Sequence, residues 1–258
     1  MSGVHMRHWS GNPDRPGLAL HCMLASGSYW AGIAGRLDGR IDLRAFDLPG
    51  HGHSDDWTPA PDGPDYHTAV TRIAASFIDR PVDLIGHSLG GTVALRLAVA
   101  APEAIRSLTL IEPVLFAAAR DDEQRALHEQ MGELIAAGHS DQAARVFMAI
   151  WGAQGYDDLP PRMQRHMRDR IGLIAENSPA LSDDRANILR PGGLEAITAP
   201  VLIISGQDSP PVVHAIAEAL AARLPDVGRA SVPGARHMLP ITHADQVAGL
   251  IAVNLDRA

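Results

Sequence analysis

Chemistry is concentrated in six residues, Gly86-His87-Ser88-Leu89-Gly90-Gly91, which follow the apolar run Val82-Asp83-Leu84-Ile85 and precede Thr92–Ala100, a stretch of helical character. Strand, G-x-S-x-G and helix in that order describe a nucleophile elbow. The turn is so tight that the serine takes a strained backbone conformation, and glycines two residues to either side are needed for strand and helix to pass without collision. Ser88 is expected to stand at the edge of a sheet. The N–H of Leu89, in the first turn of the helix, then points outward to where an oxyanion would form, with the helix dipole behind it.

A serine nucleophile needs a base and an acid that orients the base, and after an elbow the usual chain order is Ser, acid, His. Val201-Leu202-Ile203-Ile204-Ser205-Gly206-Gln207-Asp208 reads as a short strand running into a loop, which puts Asp208 just beyond a carboxyl strand end. His237 follows the next expected strand, after the turn Pro233-Gly234, whereas His214 falls inside a helix and His243 falls where the last helix should begin. Ser88, Asp208 and His237 are therefore the expected catalytic set. Glu112, at the end of the strand Ser107–Ile111 and followed by Pro113, is the rival for the acid.

With these residues in place the chain resembles the α/β-hydrolase superfamily almost end to end. Phe46-Asp47-Leu48-Pro49-Gly50-His51-Gly52-His53-Ser54-Asp55 is similar to its D-x-P-G-x-G-x-S segment, where Pro49 and Gly50 shape the turn and Ser54 or Asp55 is placed to cap a helix. Leu18–Leu24 resembles the strand ending in His-Gly whose next residue supplies the second oxyanion N–H, which by that match is Met23; Cys22 stands where the family usually has glycine. Within the superfamily the spacing from His21 to Trp30-Ala31-Gly32-Ile33 and the His237-to-His243 segment look similar to the small microbial carboxylesterases, which include the pimeloyl-acyl-carrier-protein methyl ester esterases. The resemblance implies a mostly parallel sheet flanked by helices with an inserted helical cap, no cofactor and no metal.

Strands and helices must alternate to build such a sheet, and they do as far as Ile111; no strand-like run follows until Val201. The expected division is a core of residues 1–114 and 194–258 with a cap at 115–193. Apolar residues recur there at helical spacing, as in Leu127, Met131, Leu134 and Ile135 and in Val146, Phe147, Ile150 and Trp151. Phe147, Met148, Trp151, Met163 and Met167, with Cys22 from the core, are the expected lining of a substrate pocket; for any one of them, packing between cap helices is the simpler role. Arg162, Arg165 and Arg168 recur every three residues in the only basic cluster, spanning roughly 120° of a helix surface. Ordinary solvated surface explains them most simply. The sharper reading is a docking face for an acidic carrier protein, with Arg165 and Arg168 as the pair to test first.

The 258 residues carry 22 basic against 30 acidic side chains, a formal charge of −8, which disfavours nucleic acid and anionic membranes as partners. One cysteine cannot form an internal disulfide, the N-terminus carries no apolar signal core and no run is long enough to span a bilayer, so a cytoplasmic location is expected. The function expected is hydrolysis of a small-molecule carboxylic ester through an acyl-enzyme. Thioesters, lactones and activated C–C bonds are open to the same apparatus. Two other classes compete: a metallohydrolase built on His51 and His53, which match only the first part of an H-x-H-x-D motif, and a non-catalytic binding protein on the same fold.

Overall fold

The computed structural model describes residues 3–258. Seven strands form one sheet in the order β1-β3-β2-β4-β5-β6-β7, comprising β1 (Met6–Trp9), β2 (Pro16–Leu20), β3 (Asp42–Phe46), β4 (Val82–His87), β5 (Ile105–Ile111), β6 (Val201–Gly206) and β7 (Val227–Val232). Only β1 runs antiparallel, pairing with β3; every other neighbouring pair is parallel. All six residues of β4 and of β6 are buried, as expected of strands covered on both faces.

Side-chain alternation assigns each strand to two cores. Leu18, Leu20, Leu84 and Ile203 turn to one face, where they meet α2 (Tyr66–Ala75), α3 (Leu89–Ala100) and α8 (Pro211–Ala221) through Val70, Val93, Leu97, Val213 and Ile216. Ala19, Ile85, Leu202 and Ile204 turn to the other, against α1 (Ala31–Arg36) and α10 (Ala244–Leu255) through Ile33, Val247 and Ile251. A short α9 (Leu239–Thr242) leads into α10.

Between β5 and β6 the chain forms α4 (Asp122–Ala136), α5 (Ser140–Trp151), α6 (Pro161–Arg170) and α7 (Gly172–Ser182) with no strand. These helices have an apolar cluster of their own, including Met131, Ala143, Met148, Met167 and Ile171, and Leu24 from the loop after β2 joins it. Asp121 caps α4 by accepting from the Gln124 N–H at 2.8 Å, and Pro161 opens α6 where no N–H is needed. The expected cap at Ser54 or Asp55 is not formed. Residues 51–54 make a turn in which the Ser54 hydroxyl donates to the Asp47 carbonyl at 2.6 Å, and Asp65 caps the next helix, accepting from the Thr68 N–H at 2.7 Å. Among the described residues no helix is long and apolar enough to cross a membrane.

Candidate active site

Ser88 stands between β4 and α3 with φ 56° and ψ −118°, a conformation that costs free energy for any residue with a Cβ. The flanking glycines make it attainable. A Cβ on Gly86 would lie 2.3 Å from the Gly90 carbonyl oxygen, and one on Gly90 would lie 2.3 Å from that of Leu20. The Ser88 N–H donates to Ile111 O at 2.9 Å, tying the elbow to the end of the neighbouring strand. Leu24, Ser88 and Glu112 are three of the six non-glycine residues with positive φ among those described, and all three lie at the carboxyl edge of the sheet.

His237 reaches this edge from the loop after β7 and is 3% exposed. Its partner is Glu112 and not the expected Asp208: Nδ1 donates to Glu112 Oε2 at 2.6 Å. The physical reason lies in the register. His87 pairs with Ile111, so the residues that follow them, Ser88 and Glu112, emerge side by side at the same edge. Asp208 lies in the turn beyond β6, where its side chain is exposed and its backbone N–H donates to Ala235 O at 2.9 Å. The loop that carries Asp208 serves Glu112 in another way. Glu112 Oε1 accepts from the Gly206 N–H at 2.6 Å and from the Ser209 hydroxyl. Burial alone would raise the Glu112 carboxyl, but hydrogen bonds from His237, Ser209 and Gly206 outweigh it and hold the pKa below the ordinary glutamate value. The signal in the sequence was Glu112-Pro113 directly after a strand, a charged residue at the point where the ladder must stop.

Two residues not singled out from the sequence hold the histidine loop. His87 Nε2 donates to the His237 carbonyl at 2.9 Å, which leaves Nδ1 to accept from the Tyr29 hydroxyl at 2.7 Å. Burial keeps His87 uncharged, so this relay stays intact. Nothing marks Tyr29 in the sequence, because only the fold brings it under the elbow.

The loop after β2 is held by a reciprocal exchange. The Leu24 N–H donates to His51 Nε2 and the Leu48 N–H donates to His21 Nε2, each at 3.0 Å. The other ring nitrogens donate to backbone carbonyls, His21 to Cys22 at 2.7 Å and His51 to Pro49 at 2.9 Å. Burial pushes His21 down to about 4 and His51 down to about 3, so both remain neutral acceptors. With both nitrogens engaged, His51 has no lone pair to offer a metal, and among the described residues no cluster of metal-ligating side chains forms. The exchange leaves Met23 at the bend. Neither its N–H nor that of Leu89 meets an acceptor among the described residues, and both residues line the space beside Ser88.

A cavity of ≈190 Å³ opens at Ser88 and His237 and is lined by Cys22, Met23, Phe147, Met148, Trp151 and Met167 among others. Trp151 lies edge-on to His237 with ring centroids 4.7 Å apart. Met163 does not join this lining; it is 39% exposed on α6, while Met167, one turn on, faces inward. Burial pushes the Cys22 thiol up to about 12. On α6, Arg168 pairs with Asp169 at 3.0 Å and Arg170 donates to Gly50 O at 2.6 Å, whereas Arg162 and Arg165 are exposed and meet no acidic partner among the described residues.

A mostly parallel sheet with an elbow serine, and a histidine at the same edge paired to a buried carboxylate, define the α/β-hydrolase class. Residues 18–250 match the alpha/beta hydrolase family, and the chain belongs to it, as an enzyme of the α/β-hydrolase type. It is 30% identical over 246 residues to the pimeloyl-[acyl-carrier protein] methyl ester esterase of Xanthomonas campestris pv. campestris (strain B100), spanning 89% of this chain and 90% of that one. It is 27% identical over 215 residues to the enzyme of that name from Nitrosomonas europaea, spanning 81% and 82%. Among solved structures, the enol-lactonase from Burkholderia xenovorans LB400 superposes with a TM-score of 0.73 at 22% identity over 98% of this chain and 96% of that one, a likeness of fold.

Proposed function

We propose that this chain is a serine carboxylesterase in which Ser88, His237 and Glu112 form the triad. The observation that carries the reading is the 2.6 Å bond from His237 Nδ1 to Glu112, beside an elbow serine that opens into an apolar cavity. With its proton fixed on Nδ1, His237 presents the Nε2 lone pair as the base. Ser88 Oγ loses its proton to Nε2 and bonds to the ester carbonyl carbon. The oxyanion rests on the Leu89 and Met23 N–H groups, and the alkoxide leaves with the proton from His237. Water then repeats the cycle on the acyl-enzyme. In this structure Ser88 Oγ makes no hydrogen bond to a described residue, so the reading requires Ser88 Oγ and His237 Nε2 to come within hydrogen-bond reach when substrate fills the cavity.

Residues 115–193 act as a cap over this edge, and 1–114 with 194–258 as the core that holds the triad. Cap residues Phe147, Met148, Trp151 and Met167 exclude water from the reacting ester. The names of the relatives favour a methyl ester on an acyl chain held by a carrier protein, and Arg162 and Arg165 on α6, which meet no acidic partner among the described residues, suit a carrier that is acidic. The test is a fluorophosphonate probe followed by turnover of a panel of methyl, p-nitrophenyl, thio- and lactone esters. Labelling and methyl-ester turnover that Ser88→Ala abolishes support the reading; an unlabelled chain, or Ser88→Ala with more than about a tenth of the activity, refutes it.

A further inference from the structure

A smaller cavity of ≈40 Å³ shares Met23, Ser88, Phe147, Trp151 and His237 with the main one but is otherwise bounded by different residues, among them Leu89, His128, Asn177 and Ser178. Most of this lining is apolar, so the polar groups in it stand out. Asn177 is 2% exposed, and its Nδ2 donates to Leu173 O at 2.9 Å, which fixes the orientation of the amide. Its Oδ1 is then a buried acceptor with no partner among the described residues, and a buried group left so needs a reason.

The neighbouring groups supply the complement. Gln124 Nε2 donates to His128 Nε2 at 2.9 Å, because an amide nitrogen has no lone pair to offer, so the His128 proton sits on Nδ1. Burial holds His128 below its ordinary value and thus uncharged. Nδ1 in turn donates to Ser178 Oγ at 3.3 Å. The Ser178 hydroxyl, having accepted, keeps its own proton to give, and it meets no acceptor among the described residues. One vacant acceptor and one vacant donor thus belong to adjacent residues of α7, both of which line a space that reaches Ser88. A carboxylate has nothing to give Asn177 Oδ1, and no carboxylate lines the cavity to balance an ammonium. The volume holds about three water-sized groups.

We propose that the small cavity is a specificity subsite for a short, uncharged substituent of the substrate that both donates and accepts a hydrogen bond, a hydroxyl or a primary amide, read by Asn177 Oδ1 and Ser178 Oγ. The proposal rests on Ser88 being the nucleophile, since that serine sets where the substituent begins.

Isosteric ester pairs differing only by CH3 against OH test it, and two arms tell which side of the ester enters. One arm compares propyl with 2-hydroxyethyl esters of the same acid; the other compares methyl butanoate with methyl 3-hydroxypropanoate. In one arm the hydroxyl member is expected to have the higher kcat/KM by about tenfold or more, because the apolar member leaves both polar groups unpaired. That ratio should fall to about one in Asn177→Leu and in Ser178→Ala. Should Asn177→Leu not fold, Ser178→Ala, which deletes a single oxygen, carries the same test. Wild-type ratios of one or less in both arms, or a preference that survives the substitutions, overturn the subsite alone. Absence of any ester turnover that depends on Ser88 overturns the esterase reading and the subsite with it.

Discussion

Replacing Glu112 by Gln removes one charge from the site and little volume, and the structure dictates how the new side chain must sit. Its amide oxygen has to remain where Oε1 is, because the Gly206 N–H and the Ser209 hydroxyl both donate there. The NH2 group therefore faces His237 Nδ1, where the carboxylate now accepts at 2.6 Å. An NH2 group donates, so Nδ1 must become the acceptor and the ring proton moves to Nε2, the nitrogen that has to take the proton of Ser88. The imidazolium formed during attack also loses its counter-charge. A wrong tautomer of this kind lowers kcat on the order of 10³–10⁴-fold, about 4–5.5 kcal/mol of barrier. Asp208→Asn, at an exposed position whose side chain meets no partner among the described residues, should stay within about twofold of wild type. The assay is kcat for a p-nitrophenyl ester, with fluorophosphonate labelling rates as a second reading of nucleophile activation and circular dichroism to confirm folding. If Glu112→Gln keeps more than about a tenth of the activity, or if Asp208→Asn loses more than Glu112→Gln does, the assignment of the acid is wrong.

Stability should fall with acid well above the carboxylate range. His21 and His51 are held by burial at about 4 and about 3, against about 6.5 in an unfolded chain, so between these values the unfolded state binds more protons. Their contribution is complete above pH 6.5 and is lost as pH drops toward 4, on the order of 3 kcal/mol for His21; urea midpoints that stay flat from pH 6.5 to 4.5 would refute this. Cys22 should react with a bulky disulfide reagent far more slowly in the native protein than in denaturant, since burial both covers the thiol and pushes it up to about 12; equal rates would contradict its burial. If Arg162 and Arg165 dock an acidic carrier, changing both to Glu should lower turnover of a carrier-linked ester about tenfold in a salt-sensitive manner and leave a small free ester untouched. Equal effects on both substrates would remove the carrier.

The elbow was readable from the chain alone because its requirements are local. A strained serine needs glycines at fixed offsets, and an apolar run before it and a helical run after it declare what the turn joins. The same is true of the loss of strand pattern between Ile111 and Val201 and of His237 following a strand and a Pro-Gly turn. The partner of His237 was not readable to the end, because Glu112 and Asp208 each stand at a carboxyl strand end, and chain order cannot say which of two such ends the histidine faces. Sheet register decided it: pairing His87 with Ile111 puts Glu112 beside Ser88, while the turn carrying Asp208 turns that carboxylate to solvent and spends its Gly206 N–H and Ser209 hydroxyl on Glu112. Met163 and Met167 divide for a similar reason, since helical spacing places them near one another but only packing of α6 on its neighbours says which one is covered. Tyr29, His87 and Asn177 carry no sequence signature at all. Their roles are hydrogen bonds to groups far along the chain or vacancies left by such bonds, and contacts of that kind exist only once the strands are side by side.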